Sequence, residues 1–411
     1  MREQHITHFV GLDIGTSTVR CVVGMADHND QSKISVIGHG KAVNMGMRKG
    51  VIAHIDDVAD AIIKAVNQAE QVSGVAINNA TVNINGSHIS GMNSRGVIAI
   101  STANKEITES DRSRVEEAAT IIKLPSNREI IQVYAKSYRI DGQDNIKDPV
   151  GMQGIRLEVD THIVTAITSN LKNLDIVLGK ANINPNRYTV SSLASAEAVL
   201  TRQQKESGTL LLDIGAGTTN MVVVEDGEVQ HVGVLPIGSM FLTNDLAIGL
   251  KTDLDIAERV KVEHAGVGDK AKIGTISVNI NKKSHTFDAE EVAMITEARI
   301  DELFELVNKE LKRIHKAQKL PGGVVIVGGM SKLPGIADFA REKLQLASRV
   351  GKLQPIGGLI DSVSDPTYAT AVGLMLLDML LYPAGAHGHH SRNNGNVFGL
   401  IEGILKKFRR K

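Results

Sequence analysis

Two stretches roughly two hundred residues apart carry the same hydrophobic and polar alternation. Residues 9–23 read as a strand, a glycine turn and a second strand, and residues 209–224 repeat that order. Aligned, VGLDIGTSTVRCVVG and LLLDIGAGTTNMVVV share Asp-Ile-Gly, a hydroxyl cluster and a β-branched exit strand. A duplicated α/β body accounts for the recurrence. Apolar residues then recur at helical spacing over residues 56–73, and Ile295, Ile300, Leu303, Leu306, Val307 and Leu311 do so within 289–315. Strands alternating with helices predict a mainly parallel sheet covered on both faces.

Between about Val82 and His162 the first half is interrupted. This insert predicts a strand at 96–101, a helix over 109–124 with Thr108 and Asp111 placed as N-cap signals, and strands at 129–139 and 155–167. These suffice for a small α+β subdomain. After Leu381 the sequence AGAHGHHSRNNGN cannot bury a core and reads as a linker. His387, His389 and His390 offer metal-binding chemistry there, but a solvated tether is the simpler account.

A length of 411 residues exceeds the roughly 250–300 at which single cores stop growing, so several units are expected. Apolar residues at 42% and charged residues at 22% fit a globular body. The 46 basic and 46 acidic residues cancel, which argues against nucleic acid as a partner and makes any charge-driven contact local. Cys21 is the only cysteine, excluding an internal disulfide and fitting a reducing compartment. The start, MREQHITHF, is too short and polar for a signal peptide, and no apolar run reaches 18 residues. A cytoplasmic chain that spans no bilayer is expected.

The first turn holds Asp13, Gly15, Thr16, Ser17 and Thr18, and the second Asp213, Gly215, Gly217, Thr218 and Thr219. A glycine without a side chain lets backbone N–H groups approach a phosphate, and the hydroxyls add donors. Either hairpin alone can be an ordinary turn; together they can clamp a polyphosphate from two sides. Asp13 and Asp213 would then face it through Mg²⁺ and its waters, because Mg²⁺ takes oxygen ligands and keeps much of its hydration. A third element, a buried strand ending in Gly328, Gly329 and Met330, offers bare backbone to a flat ring, or is an ordinary strand-to-helix turn.

Two Asp-Ile-Gly loops and a later Gly-Gly loop, in this order, resemble the actin, sugar kinase and heat-shock chaperone ATPase superfamily. The resemblance implies an α/β, actin-like two-lobed ATPase fold of duplicated ribonuclease-H-like domains, with ATP and Mg²⁺ between the lobes. Residues 192–200 and 367–377 resemble its two connecting helices. IAERVKVEHAG at 256–266 resembles the helix whose Glu and Lys reach the nucleoside, implying Glu258 and Lys261, with Gly238 also at the nucleotide. On surface statistics alone Glu258 and Lys261 are solvated helix charges.

GSHISGMNSRGVIAIS at 86–101 and NIKDPVGMQGIRLEVDTHIVTA at 145–166 resemble the ends of the insert found in the FtsA family of bacterial division proteins. With the linker and a terminal amphipathic helix, the resemblance covers nearly the whole chain. It implies a first lobe at 1–82 and 163–203, an α+β insert at 83–162, a second lobe at 204–240 and 319–383 with its own insert at 241–318, a linker at 384–396 and a membrane helix at 397–411. It also implies self-association into filaments, a place on the cytoplasmic face of the membrane at the division site, and contacts with other division proteins. The C-terminal tail of the tubulin-like FtsZ would dock on helix 289–315, with Arg299 as its contact; Arg299 can equally pair with Glu297 or Glu302. An FtsA-like pilus assembly ATPase or a sugar-kinase-type phosphotransferase is the alternative, although the chain has no Trp and its insert lacks a sugar site's polar cluster.

Efficient hydrolysis in the superfamily uses a Gln or Glu at the start of the first connecting helix to orient water. The corresponding residue here is Ser191, and Glu197 lies over a turn further on. Tight binding with slow turnover is expected.

The last residues, NVFGLIEGILKKFRRK, place Val397, Leu400, Ile401, Ile404, Leu405 and Phe408 on one stripe, with Phe398 beside it. Lys406, Lys407, Arg409 and Arg410 oppose a single Glu402, the composition of a helix lying in an anionic interface. A packed C-terminal helix is the alternative. Half-burying six large side chains contributes about 5–8 kcal/mol, and ordering the helix offsets much of it, so reversible, salt-sensitive binding is expected.

Overall fold

The computed structural model describes residues 8–26, 34–101, 104–280 and 282–381. In the first half, β1 (His8–Ile14), β2 (Thr18–Ala26) and β3 (Ile34–Val43) form an antiparallel meander. A tight hairpin of β4 (Met47–Arg48) and β5 (Val51–Ile52) leads into α1 (Ile55–Ser73), whose buried Val58, Ile62, Ala65 and Ala69 recur at helical spacing. The chain returns as β6 (Asn79–Ile84), parallel to β1.

The insert follows as β7 (Ser90–Ala99), α2 (Glu109–Ala119), β8 (Arg128–Ile140), β9 (Gln143–Ile146) and β10 (Arg156–Ile167). Its antiparallel sheet has the order β7-β10-β8-β9 and shares a core of Ile107, Val115, Ala119, Leu157 and Val159 with α2. The expected cap is present: Thr108 Oγ1 accepts from Asp111 N at 3.2 Å and Asp111 Oδ2 accepts from Thr108 N at 3.0 Å. The helix stops five residues before the predicted Leu124, because Pro125 disfavours helical backbone just ahead of it and Thr120 Oγ1 donates to the Glu117 carbonyl at 2.8 Å.

Helix α3 (Thr168–Lys180) and strand β11 (Asn184–Val190) complete the first half, and α4 (Ser191–Val199) and α5 (Arg202–Ser207) lead to the second. There β12 (Thr209–Ile214), β13 (Thr219–Glu225) and β14 (Glu228–Leu235) repeat the meander. Helices α6 (Ser239–Gly249) and α7 (Leu254–His264), hairpin β15 (Thr275–Ile280) and β16 (Lys283–Asp288), and α8 (Ala289–Arg313) form the outer part of this half. Strand β17 (Gly323–Val327) runs parallel to β12, followed by α9 (Ile336–Leu344) and β18 (Ser348–Val350). The chain then crosses back through β19 (Gly357–Gly358), α10 (Ile360–Val363) and α11 (Ala369–Leu380), which packs on β1, β2 and β6.

The two main sheets have the orders β11-β6-β1-β2-β3-β19 and β14-β13-β12-β17-β18. Each is mixed rather than mainly parallel, since a phosphate-type hairpin requires its two strands to run antiparallel. Strand β12 is buried on both faces: Leu210, Leu212 and Ile214 enter the second half's own core, and Leu211 joins the core shared with the first half. Among the described residues no helix is long and apolar enough to cross a membrane.

The insert also touches the second half. His162 on β10 accepts a hydrogen bond at Nε2 from Val232 N of β14 (3.0 Å), while its Nδ1 lies 2.9 Å from Asn93 Oδ1, which fixes the proton on Nδ1. Burial, with the nearby His231 and Lys136, pushes the imidazole down to about 3 from 6.5. The unfolded chain therefore takes up this proton first, and the stability present above pH 6.5 is lost as pH falls towards 3, at up to about 1.4 kcal/mol per unit. His162→Gln keeps an acceptor and a donor without the titration. Urea unfolding across pH 3–7 should show a shallower acid loss in the variant than in the parent, and equal slopes would refute the assignment.

Candidate functional site

The two repeated hairpins close in the same way. Gly15 N donates to Thr18 O at 3.1 Å and Gly215 N to Thr218 O at 2.9 Å. Each places a buried aspartate at the end of its first strand. Asp13 Oδ1 accepts from Asn83 Nδ2 at 2.8 Å; the same amide lies 3.0 Å from Ser191 Oγ, and Asn83 Oδ1 takes the Ile14 N–H at 2.7 Å. Asn44 Nδ2 donates to the Gly15 carbonyl at 2.8 Å, bracing the first turn from β3's exit. Asp213 Oδ2 accepts from Thr370 Oγ1 at 2.9 Å and from Ser195 Oγ at 3.4 Å, one residue from each connecting helix.

The third loop lies against the second aspartate. Gly328 has φ +83°, and a Cβ there would stand 2.5 Å from Asp213 Oδ1 and 2.6 Å from the Ile214 carbonyl, so only glycine fits. Nothing lies within 4 Å of the corresponding position on Gly329, which leaves open backbone beside the loops, whereas Met330 is buried beneath them. Gly238 precedes α6, and Ser239 N and Met240 N donate to the Gly215 and Ala216 carbonyls, both at 2.9 Å. From α7, Lys261 Nζ reaches Thr243 Oγ1 at 2.9 Å and Glu258 Oε2 at 2.6 Å, and Thr243 Oγ1 donates to Glu258 Oε2 at 2.6 Å. Glu258 and Lys261 thus pair with each other against the first turns of the helix that the second loop caps.

Burial pushes Asp13 up to about 7; the Arg20 guanidinium opposes this and Asp213 adds to it. Asp213 is raised by burial, against the Thr370 and Ser195 hydroxyls and Arg20. Two buried carboxylates from opposite halves, each short of compensating positive charge, suit a hard divalent cation. Among the described residues no group of three or more His, Cys, Asp or Glu gathers to hold a metal. A cation here would therefore rest on these two oxygens, water and ligand phosphate, which fits Mg²⁺.

The two loops meet at Thr16 and Gly217, and Gly238, Glu258 and Lys261 lie beside the second of them, while Arg299 stands on α8. Its Nη2 donates to Asp245 Oδ1 at 2.9 Å, it also pairs with Glu302, and its guanidinium lies 5.7 Å from the Phe241 ring centre. Glu297 instead accepts from Gly268 N at 3.0 Å. Val397, Phe398, Leu400, Ile401, Ile404, Leu405, Lys406, Lys407, Phe408, Arg409 and Arg410 lie outside the described residues, as does the linker before them. Sequence reasoning missed Asn83, Asn44, Ser195, Thr370 and Arg20. For Asn83 a signal existed, an amide set between Val82 and Ile84 in β6.

A family model described as "Cell division protein FtsA" matches residues 210–373, and one described as "SHS2 domain inserted in FTSA" matches residues 86–165. Among curated relatives, the cell division protein FtsA of Pseudomonas aeruginosa is 34% identical over 374 residues, covering 89% of this chain and 88% of its own length. That of Bacillus subtilis is 37% identical over 371 residues, covering 89% and 82%. Among solved structures, the PilM–PilN type IV pilus biogenesis complex aligns with TM-score 0.64 at 17% identity, over 90% of this chain and 98% of that one. MreB5 of Spiroplasma citri bound to ADP aligns with TM-score 0.53 at 13% identity, over 89% and 94%. At these identities the structural matches establish an actin-like fold.

Proposed function

The chain belongs to the FtsA cell division family, and on that premise we propose that it binds ATP with Mg²⁺ between its lobes and polymerises on the inner face of the cytoplasmic membrane. There it anchors FtsZ filaments through their C-terminal tail, with Arg299 as the candidate contact, and helps to recruit later division proteins. The observation that carries the nucleotide reading is the pair of like-built hairpins, each with a buried aspartate, that meet at Thr16 and Gly217 beside the bare backbone of Gly329. Bound Mg²⁺ would supply charge neutralisation at the phosphates, and the two loops would orient them through N–H and hydroxyl groups.

Turnover is expected to be slow. Ser191, at the start of α4, is buried against Asn83 and has no carboxylate to orient water. Glu197 is paired with Lys205 Nζ at 2.6 Å.

The test uses the full chain and one lacking residues 397–411. With Mg²⁺-ATP, both should bind nucleotide, but only the full chain should co-sediment with vesicles of anionic lipid and carry FtsZ filaments down with it, in a salt-sensitive manner. Equal sedimentation of the truncated chain would overturn the membrane tether, and absence of nucleotide binding in both would overturn the ATP reading.

A further inference from the structure

We infer that Lys49, at the tip of the β4–β5 hairpin, is the side chain through which the cleft recognises the terminal phosphate of a nucleoside triphosphate, and that the Phe241 ring holds its ammonium until that phosphate arrives. This rests on the nucleotide reading above. It names a residue outside both loop motifs.

The placement comes from the backbone. Strands β4 and β5 are joined by two residues, Lys49 and Gly50, with φ of +49° and +74°. Two left-handed residues in a two-residue hairpin form the turn that favours Asn, Asp or Gly at its first position. A lysine is disfavoured there, and disfavoured backbone at a cleft is a reason to ask what the side chain does.

The tip is wedged between the two loops. Gly50 N donates to Thr16 Oγ1 at 3.1 Å. A Cβ on Gly217 would stand 2.9 Å from that same Oγ1 and 3.0 Å from Lys49 Cα. The hairpin tip thus touches the first loop at Thr16 and the second at Gly217, where phosphate oxygens held by both loops would converge.

The Lys49 side chain is exposed, and its ammonium lies 5.2 Å from the centre of the Phe241 ring. Phe241 is in the first turn of α6, the helix capped by carbonyls of the second loop. An exposed cation–π contact is weaker than a charge-assisted hydrogen bond to phosphate, so a phosphate entering between the loops draws the ammonium off the ring. A third phosphate brings further negative charge between the loops, and a positive side chain at the hairpin tip that touches both of them offsets its repulsion. Arg20, on β2, is committed elsewhere, its guanidinium 5.4 Å from the Tyr368 ring centre.

Equilibrium binding of ADP and of a non-hydrolysable ATP analogue, each with Mg²⁺, tests this on the full chain alongside thermal unfolding. Lys49→Asn suits the left-handed turn better and should unfold at the same or a higher temperature. It should nevertheless bind the triphosphate about tenfold more weakly, the loss of one charged contact, with diphosphate affinity changed less than about twofold. Lys49→Arg should keep most of the preference for triphosphate. Undiminished triphosphate binding by Lys49→Asn would overturn the inference while the nucleotide reading stood, as would equal weakening for both nucleotides that Lys49→Arg does not rescue. Absence of any nucleotide binding by the unsubstituted chain would remove both.

Discussion

Asp13→Asn should make the ligand-free chain more stable at pH 8 while abolishing Mg²⁺-dependent nucleotide binding. The carboxyl is buried and its folded value stands at about 7, against 3.8 in the reference state. A raised carboxyl contributes stability that is fully present below pH 3.8 and is lost as pH rises through 7, so at pH 8 the chain carries the whole penalty of the buried charge. At about 1.4 kcal/mol per unit, the penalty is on the order of 4 kcal/mol. An asparagine keeps the oxygen that accepts from Asn83 Nδ2 and carries no charge. Urea unfolding of both chains should therefore diverge at pH 8 and converge near pH 4. A variant less stable than the parent at both pH values would show that the carboxylate is well compensated, contrary to this account.

Gly373→Ala should have the second-largest effect, on folding itself. Helices α4 and α11 cross with Gly373 against the backbone of Ala194, and a Cβ at residue 373 would overlap the Ala194 carbonyl. The neighbouring atoms are main chain, so relief requires the helices to separate. Overpacking of this kind costs about 1–3 kcal/mol and more where backbone must shift, so a loss near 3 kcal/mol in denaturant unfolding is expected. Ser195 and Thr370, which hold Asp213, ride on the same two helices, and nucleotide affinity should fall as well. A change below about 1 kcal/mol with unaltered affinity would mean that the crossing has slack.

Much of this architecture is legible from local pattern. The duplicated Asp-Ile-Gly hairpins, α1, the long α8 and the cap at Thr108 all follow from periodicity and short-range chemistry, which act within a few residues. The direction of the sheets was less accessible. Strands β6, β11, β17 and β18 run parallel to their neighbours, whereas both meanders run antiparallel, and one hydrophobic alternation serves either case. The polar frame of the cleft was harder still. Asn83 and Ser191 stand 108 residues apart in sequence, and Thr370 and Asp213 are separated by 157. Such pairs exist only once the halves are assembled. Two-residue strands such as β4 and β5 are too short for any periodicity to show, which is why Lys49 carried no signal in the sequence.

Asp213 is fastened to one residue on each helix that joins the halves, and Asp13 reaches the first of those helices through Asn83 and Ser191. The two carboxylates therefore sit close to the fulcrum of any rotation between the halves. A turn of about 10° about such an axis shifts an atom roughly 3 Å away by only about 0.5 Å, yet carries one about 30 Å away through about 5 Å. A bound cation could keep both oxygens in reach throughout, while a surface far from the axis swept several times further. The leverage also runs the other way. If neighbouring subunits grip such surfaces, as the proposed assembly implies, their leverage would reach the two carboxylates only as a small displacement.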